Sequence, residues 1–229
     1  MKFILATALA VFSTCAIAAP WILENLGRHV QETNFALDGK CSSTMIDREA
    51  GLLLTAHHCV ADKELGDMTM VKQKLYVDHE NTGVFMVQAE YVAKDHLNDL
   101  ALLKLSDGAT APFPMEATVA TEAPIVGDTI WVVGNPLGLD NTVTRGIISA
   151  KHRKMERHEY WQTDAVIAGG ASGGAVYNDD GELIGVVSAG IMAQMGFNRV
   201  PMGFNFVVPL DRVQTLLSNY RSSLEVAAE

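Results

Sequence analysis

From Phe35 onward the apolar residues fall in short runs, at 43–46, 52–55, 70–77, 84–92 and 100–105. Turn formers part them: Asp38-Gly39, Asp47-Arg48-Glu49, Asn81-Thr82-Gly83 and Asn98-Asp99. Runs of this length, continuous or alternating, suit strands buried on one or both faces rather than helices. Several at a regular cadence predict an all-β barrel or sandwich. A second set follows at 129–133, 142–150, 160–165, 175–177, 183–189 and 203–208. The stretch between the sets holds Gly108, Pro112, Pro114 and Pro124 with little periodicity, which suits a connection across the surface. Similar strand counts on either side predict two similar barrels. Helical spacing marks the flanks. Trp21, Ile22, Leu26 and Val30 predict a short amphipathic N-terminal helix. Leu210-Asp211 opens a C-terminal one, with Val213, Leu216, Leu217 and Tyr220 on one face and a small polar tail beyond.

Residues 1–18 carry Lys2, an apolar run from Phe3 to Phe12 and the small-residue pattern Ala16-Ile17-Ala18. These features describe a secretory signal peptide cut after Ala18, too short to span a membrane. The expectation is a secreted or periplasmic chain with no stable membrane anchor. Removing 1–18 takes away Lys2 and no acid, so the formal charge moves from −10 to −11. An acidic surface repels phosphate, which argues against nucleic acid as a partner. Cys15 is expected to leave with the signal; lipid modification is its alternative fate, for which Phe12-Ser13-Thr14 is a poor lipobox. Cys41 and Cys59 remain, and an even count in an exported chain favours a disulfide, with two buried free thiols as the alternative.

The chemistry-bearing stretch is Gly169-Gly170-Ala171-Ser172-Gly173-Gly174-Ala175, four glycines around one serine between two apolar segments. Glycines permit backbone conformations closed to other residues and let a carbonyl approach main-chain N–H groups that stabilise an oxyanion. A glycine-rich turn with an incidental serine is the bland alternative, so the motif needs partners. A serine hydroxyl is a weak nucleophile that requires an imidazole to take its proton and a carboxylate to orient that imidazole. Leu52 to Val60 runs from a buried strand into a polar turn with His57 and His58. Asn98-Asp99 places a carboxylate just before the apolar run 100–105.

Thr55-Ala56-His57-His58-Cys59-Val60 resembles the TAAHC box of trypsin-like serine proteases, Asn98-Asp99-Leu100-Ala101-Leu102-Leu103 their D-[IL]-A-L-L box, and Gly170-Ala171-Ser172-Gly173-Gly174 their G-[DN]-S-G-G box, in the same order. Finer detail is similar to the HtrA (DegP-like) branch. The residues that carry it are Val132-Val133-Gly134-Asn135-Pro136-Leu137-Gly138, Thr142 through Ala150, Gln162-Thr163-Asp164-Ala165 and Gly203-Phe204-Asn205-Phe206-Val207-Val208-Pro209. The resemblance implies an all-β, chymotrypsin-like fold of two six-stranded antiparallel β-barrels with a short N-terminal helix and a C-terminal helix. The expected organisation is a signal peptide at 1–18, a helical strap at 19–35, a first barrel at 36–106, a linker at 107–124, a second barrel at 125–209 and a helix with tail at 210–229.

The resemblance also implies that His58 is the general base, Asp99 its orienting carboxylate and Ser172 the nucleophile, with the N–H groups of Gly170 and Ser172 as the oxyanion hole. The implied partners are protein or peptide substrates; the sequence specifies no oligomeric state. No cofactor and no metal site is expected: a His57-His58-Cys59 site is the weak alternative, because adjacent side chains rarely converge on one ion and Cys59 is claimed by Cys41. His57 takes the small-residue position of its box and is expected at the barrel edge or in solvent. Asp95 and His96 are expected as solvent-facing loop residues.

Ala171 departs from the family pattern. Trypsin-like zymogens are switched on when a new amino terminus pairs with an aspartate there, so that switch is not expected here, nor is any activating cleavage beyond the signal. HtrA proteases usually carry PDZ domains, whereas about twenty residues follow Pro209 here, too few for one. Enzymes of this family that cut after Lys or Arg place an acid six residues before the nucleophile. Val166 stands in that position, followed by Ile167, and an unpaired guanidinium buried there would cost on the order of several kcal/mol. The expected substrate pocket is Val166, Ile167, Ser188, Ala189 and Gly190, accepting small or medium apolar side chains at the cleaved position. The last three residues also offer an edge for an extended substrate. The reading is a secreted serine endopeptidase; the alternative is a weak or inactive homologue that acts as a binding protein.

Overall fold

The computed structural model describes residues 34–37, 41–61, 73–79, 83–106, 116–139, 141–155, 158–195 and 198–227. The signal peptide and the N-terminal helix expected from the sequence lie outside the described residues, as do 107–115 of the linker. In the first half, β1 (Asn34–Leu37), β2 (Cys41–Asp47), β3 (Leu52–Ala56), β4 (Gln73–His79), β5 (Gly83–Asp95) and β6 (Leu100–Leu105) pair antiparallel in the order β1-β2-β3-β6-β5-β4, and β4 returns to β1. In the second half, β7 (Thr129–Gly134), β8 (Thr142–Met155), β9 (His158–Thr163), β10 (Ala175–Tyr177), β11 (Leu183–Met195) and β12 (Asn198–Pro209) pair in the order β10-β11-β12-β9-β8-β7, with β7 back on β10. Helix α1 (Leu210–Ala227) follows.

Period-two geometry explains why β3 and β6, Thr55 and the exposed Lys104 apart, are continuous apolar runs rather than alternating ones. Leu53, Ala101 and Leu103 join Met45, Cys41 and Ala89 in a cluster confined to the first half. Their neighbours Leu52, Leu54, Leu100 and Leu102 point the other way, into a core shared with Trp131, Val133, Tyr177 and Val186 of the second half. Strand β7 splits in the same manner, Ile130 and Val132 entering a cluster of the second half alone and Trp131 and Val133 the shared core. Strands β3 and β7 are thus buried on both faces, and the shared core fixes one half against the other.

Strands β11 and β12 run further than the hydropathy pattern predicts, to Met195 and from Asn198, and so do β8 and the C-terminal helix. Strand β8 continues through the charged Lys151 to Met155, pairing Lys154 with Glu159 and Met155 with His158; Lys151 lies over the Trp161 ring at 5.0 Å, so its stem covers apolar surface. Helix α1 buries Val213, Leu216 and Leu217 and continues to Ala227 in place of the expected polar tail. Among the described residues no helix is long and apolar enough to cross a membrane.

Candidate active site

The pairing of β3 with β6 sets Ala56 opposite Leu100. The chain segments that meet at this edge therefore lie side by side: the single 3-10 turn His57–Cys59 after β3, and Asp99 just before β6. Asp99 adopts a left-handed backbone, φ 54°, that closes the 3-10 turn His96–Asn98. Its carbonyl accepts from His57 N–H at 3.0 Å and its Oδ1 from His58 N–H at 2.9 Å, so the aspartate holds the histidine backbone as well as its ring. The ring nitrogen Nδ1 of His58 lies 2.8 Å from Oδ2 and 3.0 Å from Oδ1. Ser188 Oγ donates to Oδ2 at 2.5 Å. Burial pushes the Asp99 carboxyl up, but the hydrogen bonds from His58 and Ser188 and the charge of His58 outweigh it and hold the group below its ordinary value of 3.8. An ionised acceptor fixes the proton on Nδ1 and leaves Nε2 free to act as a base.

Ser172 arrives from the second half. Its carbonyl accepts from Ser42 N–H of β2 at 2.7 Å, and Gly173 N–H donates to Val187 O at 2.8 Å. The hydroxyl of Ser172 donates to Ser188 O at 3.1 Å rather than to His58. Ser188 therefore links the two parts, its Oγ on Asp99 and its carbonyl under the Ser172 hydroxyl.

The peptide planes around Ser172 are held one by one. Ala168 O accepts from Ala171 N–H (3.0 Å), Gly169 O from Leu137 N–H (2.7 Å), Gly170 O from Ser42 Oγ (2.8 Å) and Ala171 O from Gly174 N–H (2.9 Å). With these carbonyls engaged elsewhere, the N–H groups of Gly170 and Ser172 donate to no acceptor among the described residues. Two fixed, unspent donors beside a hydroxyl are what an oxyanion requires. Gly170 has φ +102°, and a Cβ there would sit 2.5 Å from Asn135 O. Ala171 is buried in the apolar cluster of the second half with Val132 and Val176, so nothing charged occupies the position where the zymogen switch would act.

Three residues of this framework were given no role by the sequence. Ser42 Oγ donates to Gly170 O and accepts from Asn135 N–H at 2.8 Å and Nδ2 at 3.2 Å. Asn135 Oδ1 in turn accepts from Asn141 N–H at 2.9 Å. Leu137, in the 3-10 turn Pro136–Gly138 and itself left-handed at φ 57°, supplies the N–H that ties Gly169 O. Asn135 and Leu137 stood in a recognised box whose purpose the sequence did not reveal. Ser42→Ala is expected to lower kcat about 10²-fold with KM little changed, because Gly170 O loses its anchor and the adjacent donors lose their aim. Steady-state kinetics on a peptide ester and an amide will check this; an unchanged kcat refutes the positioning role.

The expected pocket residues separate. Val166 is 69% exposed, Ile167 packs against the second-half core, and Ser188 is buried and engaged with Asp99. Ala189 and Gly190 pair with Phe206 and Asn205 on β12, while β10 leaves β11 after Ala175 reaches Val186, so among the described residues no strand lies along the opposite edge at 188–190. Asn205, also missed, is buried between these walls: its Nδ2 donates to Ala165 O at 2.7 Å, and a Cβ on Gly190 would meet its Oδ1 at 2.7 Å. His57 is buried rather than at an edge, its ring 5.1 Å from His96 and 6.5 Å from Tyr91. Asp95 is occupied in capping, accepting from Asn98 N–H and Nδ2. Cys41 and Cys59 form a disulfide. His57, His58, His96, Asp99, Met155, His158, Tyr160 and Ser188 line an open cleft of ≈ 470 Å³.

This fold and this constellation define a trypsin-like peptidase domain: the family model of that description matches residues 41–186, and the chain belongs to the family. Within it the chain is similar to HtrA-type proteases. It is 33% identical over 76% of its length to the serine endoprotease DegS of Haemophilus influenzae and 35% identical over 77% to the periplasmic serine endoprotease DegP of Escherichia coli, covering 48% and 35% of those proteins. The chain thus spans less than half the length of these curated relatives. Among solved structures it is similar to a serine endoprotease from Yersinia pestis, with TM-score 0.63 and 25% identity over 86% of this chain and 65% of that one. It is similar also to the HtrA-type protease AlgW S227A with a tripeptide, with TM-score 0.64 and 25% identity over 86% and 62%.

Proposed function

We propose that this chain is an exported serine endopeptidase that hydrolyses peptide bonds through an acyl-enzyme on Ser172. The observation that carries the reading is a carboxylate-held imidazole linked through Ser188 to a serine loop with two unspent N–H donors. An extended substrate adds to the open edge at 188–190, and its N–H takes Ser188 O. That releases the Ser172 hydroxyl to turn toward His58. His58 Nε2 accepts the proton as Oγ attacks the carbonyl, the oxyanion rests on Gly170 and Ser172 N–H, and the imidazolium returns the proton to the leaving amine. Water repeats the cycle on the ester. The residues 1–18 support export, as does similarity to a relative named periplasmic.

Asn205 narrows the choice of substrate. Its carboxamide is tied to Ala165 O and its main chain pairs with Gly190, and no acid stands at Val166 to meet a cation. The chain is therefore expected to cleave after Ala, Val or Leu in preference to Arg, by about 10²-fold in kcat/KM, since an unpaired buried charge carries a penalty of several kcal/mol. A peptide-library profile checks the preference, and release of an arginine-linked group ahead of a valine-linked one overturns it. Fluorophosphonate labelling that is lost in Ser172→Ala and kept in the parent establishes the nucleophile; absence of labelling in the parent favours a binding protein on the same scaffold.

A further inference from the structure

The Sγ atoms of Cys41 and Cys59 and a ring nitrogen of His58 lie within 4.8 Å of one another. In the oxidised chain the two sulfurs are joined to each other and have no lone thiolate to offer. Reduction changes the chemistry of the cluster: two thiolates beside an imidazole are a donor set that suits zinc, with room for water at a fourth position. Nδ1 of His58 is already held by Asp99, so Nε2 is the nitrogen left to bind, and a carboxylate on the far nitrogen is the arrangement that orients a zinc-bound imidazole. We infer that Cys41, Cys59 and His58 form a zinc site that exists only when the disulfide is reduced, and that zinc held there silences the catalytic centre by taking its base.

The main chain that carries the three ligands is held by hydrogen bonds as well as by the sulfur–sulfur bond. The turn bearing His58 and Cys59 is fixed by His57 N–H and His58 N–H on Asp99 and by Val60 and Ala61 N–H on His57 O. Cys41 ends the β1–β2 ladder opposite Leu37, and the next residue, Ser42, is bound to Ser172 and Gly170. Cys59 is half-buried and Cys41 8% exposed, so a reductant reaches Cys59 first. A dithiol attacks that sulfur through its thiolate, and its second thiol resolves the mixed disulfide; two electrons pass to the cysteines, each sulfur gains a proton, and the dithiol leaves as a disulfide. Zinc then displaces both protons and binds Sγ, Sγ and Nε2. With its lone pair on the metal, Nε2 cannot accept the Ser172 proton. Reoxidation or chelation restores it.

The silencing half of this inference rests on His58 being the general base; the binding half does not. The test uses the full chain in two forms. In Ser172→Ala, reduced by a dithiol that is then removed under anaerobic conditions, zinc titrated against a metallochromic indicator is expected to bind once per chain, about 100-fold tighter than to the oxidised form. Adding His58→Ala is expected to weaken it by about tenfold or more. Circular dichroism of the reduced, metal-free chain is expected to keep the β signal. In the unsubstituted chain, zinc is expected to stop fluorophosphonate labelling only after reduction, and a chelator to restore it. No uptake by the reduced chain, equal uptake in both redox states, or loss of the β signal on reduction overturns the site. Uptake without loss of labelling overturns the silencing. An oxidised, metal-free chain that never labels defeats the endopeptidase reading while leaving zinc uptake by reduced Ser172→Ala to stand or fall alone.

Discussion

Asp99→Asn is expected to lower kcat by about 10⁴-fold while the chain remains folded. The carboxylate accepts from His58 Nδ1, His58 N–H and Ser188 Oγ together. An amide has one accepting oxygen and one donating nitrogen. Where its nitrogen faces Nδ1, the ring proton is forced onto Nε2, which then cannot take a proton from Ser172. Stability follows with a definite sign. The folded pKa of Asp99 lies below its ordinary value of 3.8, so its contribution is complete at pH values above that and is lost as pH falls through the lower folded value. Urea unfolding of parent and variant is therefore expected to differ by a constant amount across neutral pH and to converge as pH falls through the lowered folded value. A variant within tenfold of the parent kcat removes Asp99 from the mechanism.

Gly173→Ala is expected to destabilise the chain by about 3–5 kcal/mol and to abolish fluorophosphonate labelling. Gly173 is left-handed, φ +82°, and a Cβ there would stand 2.2 Å from both Ser42 O and Thr55 Oγ1. Neither atom has freedom to retreat, since Thr55 Oγ1 donates to Ser42 O at 2.7 Å and Ser42 is bound on either side of that carbonyl. The clash is relieved only by moving the serine loop. Gly169→Ala is the control: nothing lies within 4 Å of its added methyl and its φ is not left-handed, so stability should stay within about 0.5 kcal/mol of the parent. Thermal melts of the two variants check the contrast, and similar melting points would refute it.

The groups proposed to move protons stood out in the sequence because their chemistry admits few residue types and the fold sets them beside apolar strands. His58 follows β3, Asp99 precedes β6, and each stands next to a run that the pattern marks as buried. Ser42 was not readable, since a serine in a strand looks like any other and its partner Gly170 lies 128 residues away. Leu137 contributes a main-chain N–H that no side chain advertises. The run Leu52-Leu53-Leu54 signalled burial, but not that Leu53 and its neighbours serve different cores. The length of β8 was hidden because Lys151 to Met155 is charged, and only the ladder with β9 shows those residues as strand.

The link from Ser42 to Ser172 and Gly170 gives the site a property that neither barrel has alone. Ser172, the proposed nucleophile, belongs to one half of the chain and His58, its proposed base, to the other, and β2 is clamped onto both the Ser172 carbonyl and the loop that carries the free N–H groups. The alignment of the reacting atoms is thus a readout of how firmly the halves are seated. A slight slip between them would mute the chemistry while every strand stayed paired, so that activity would vanish on warming before the spectroscopic signature of the sheets had changed at all.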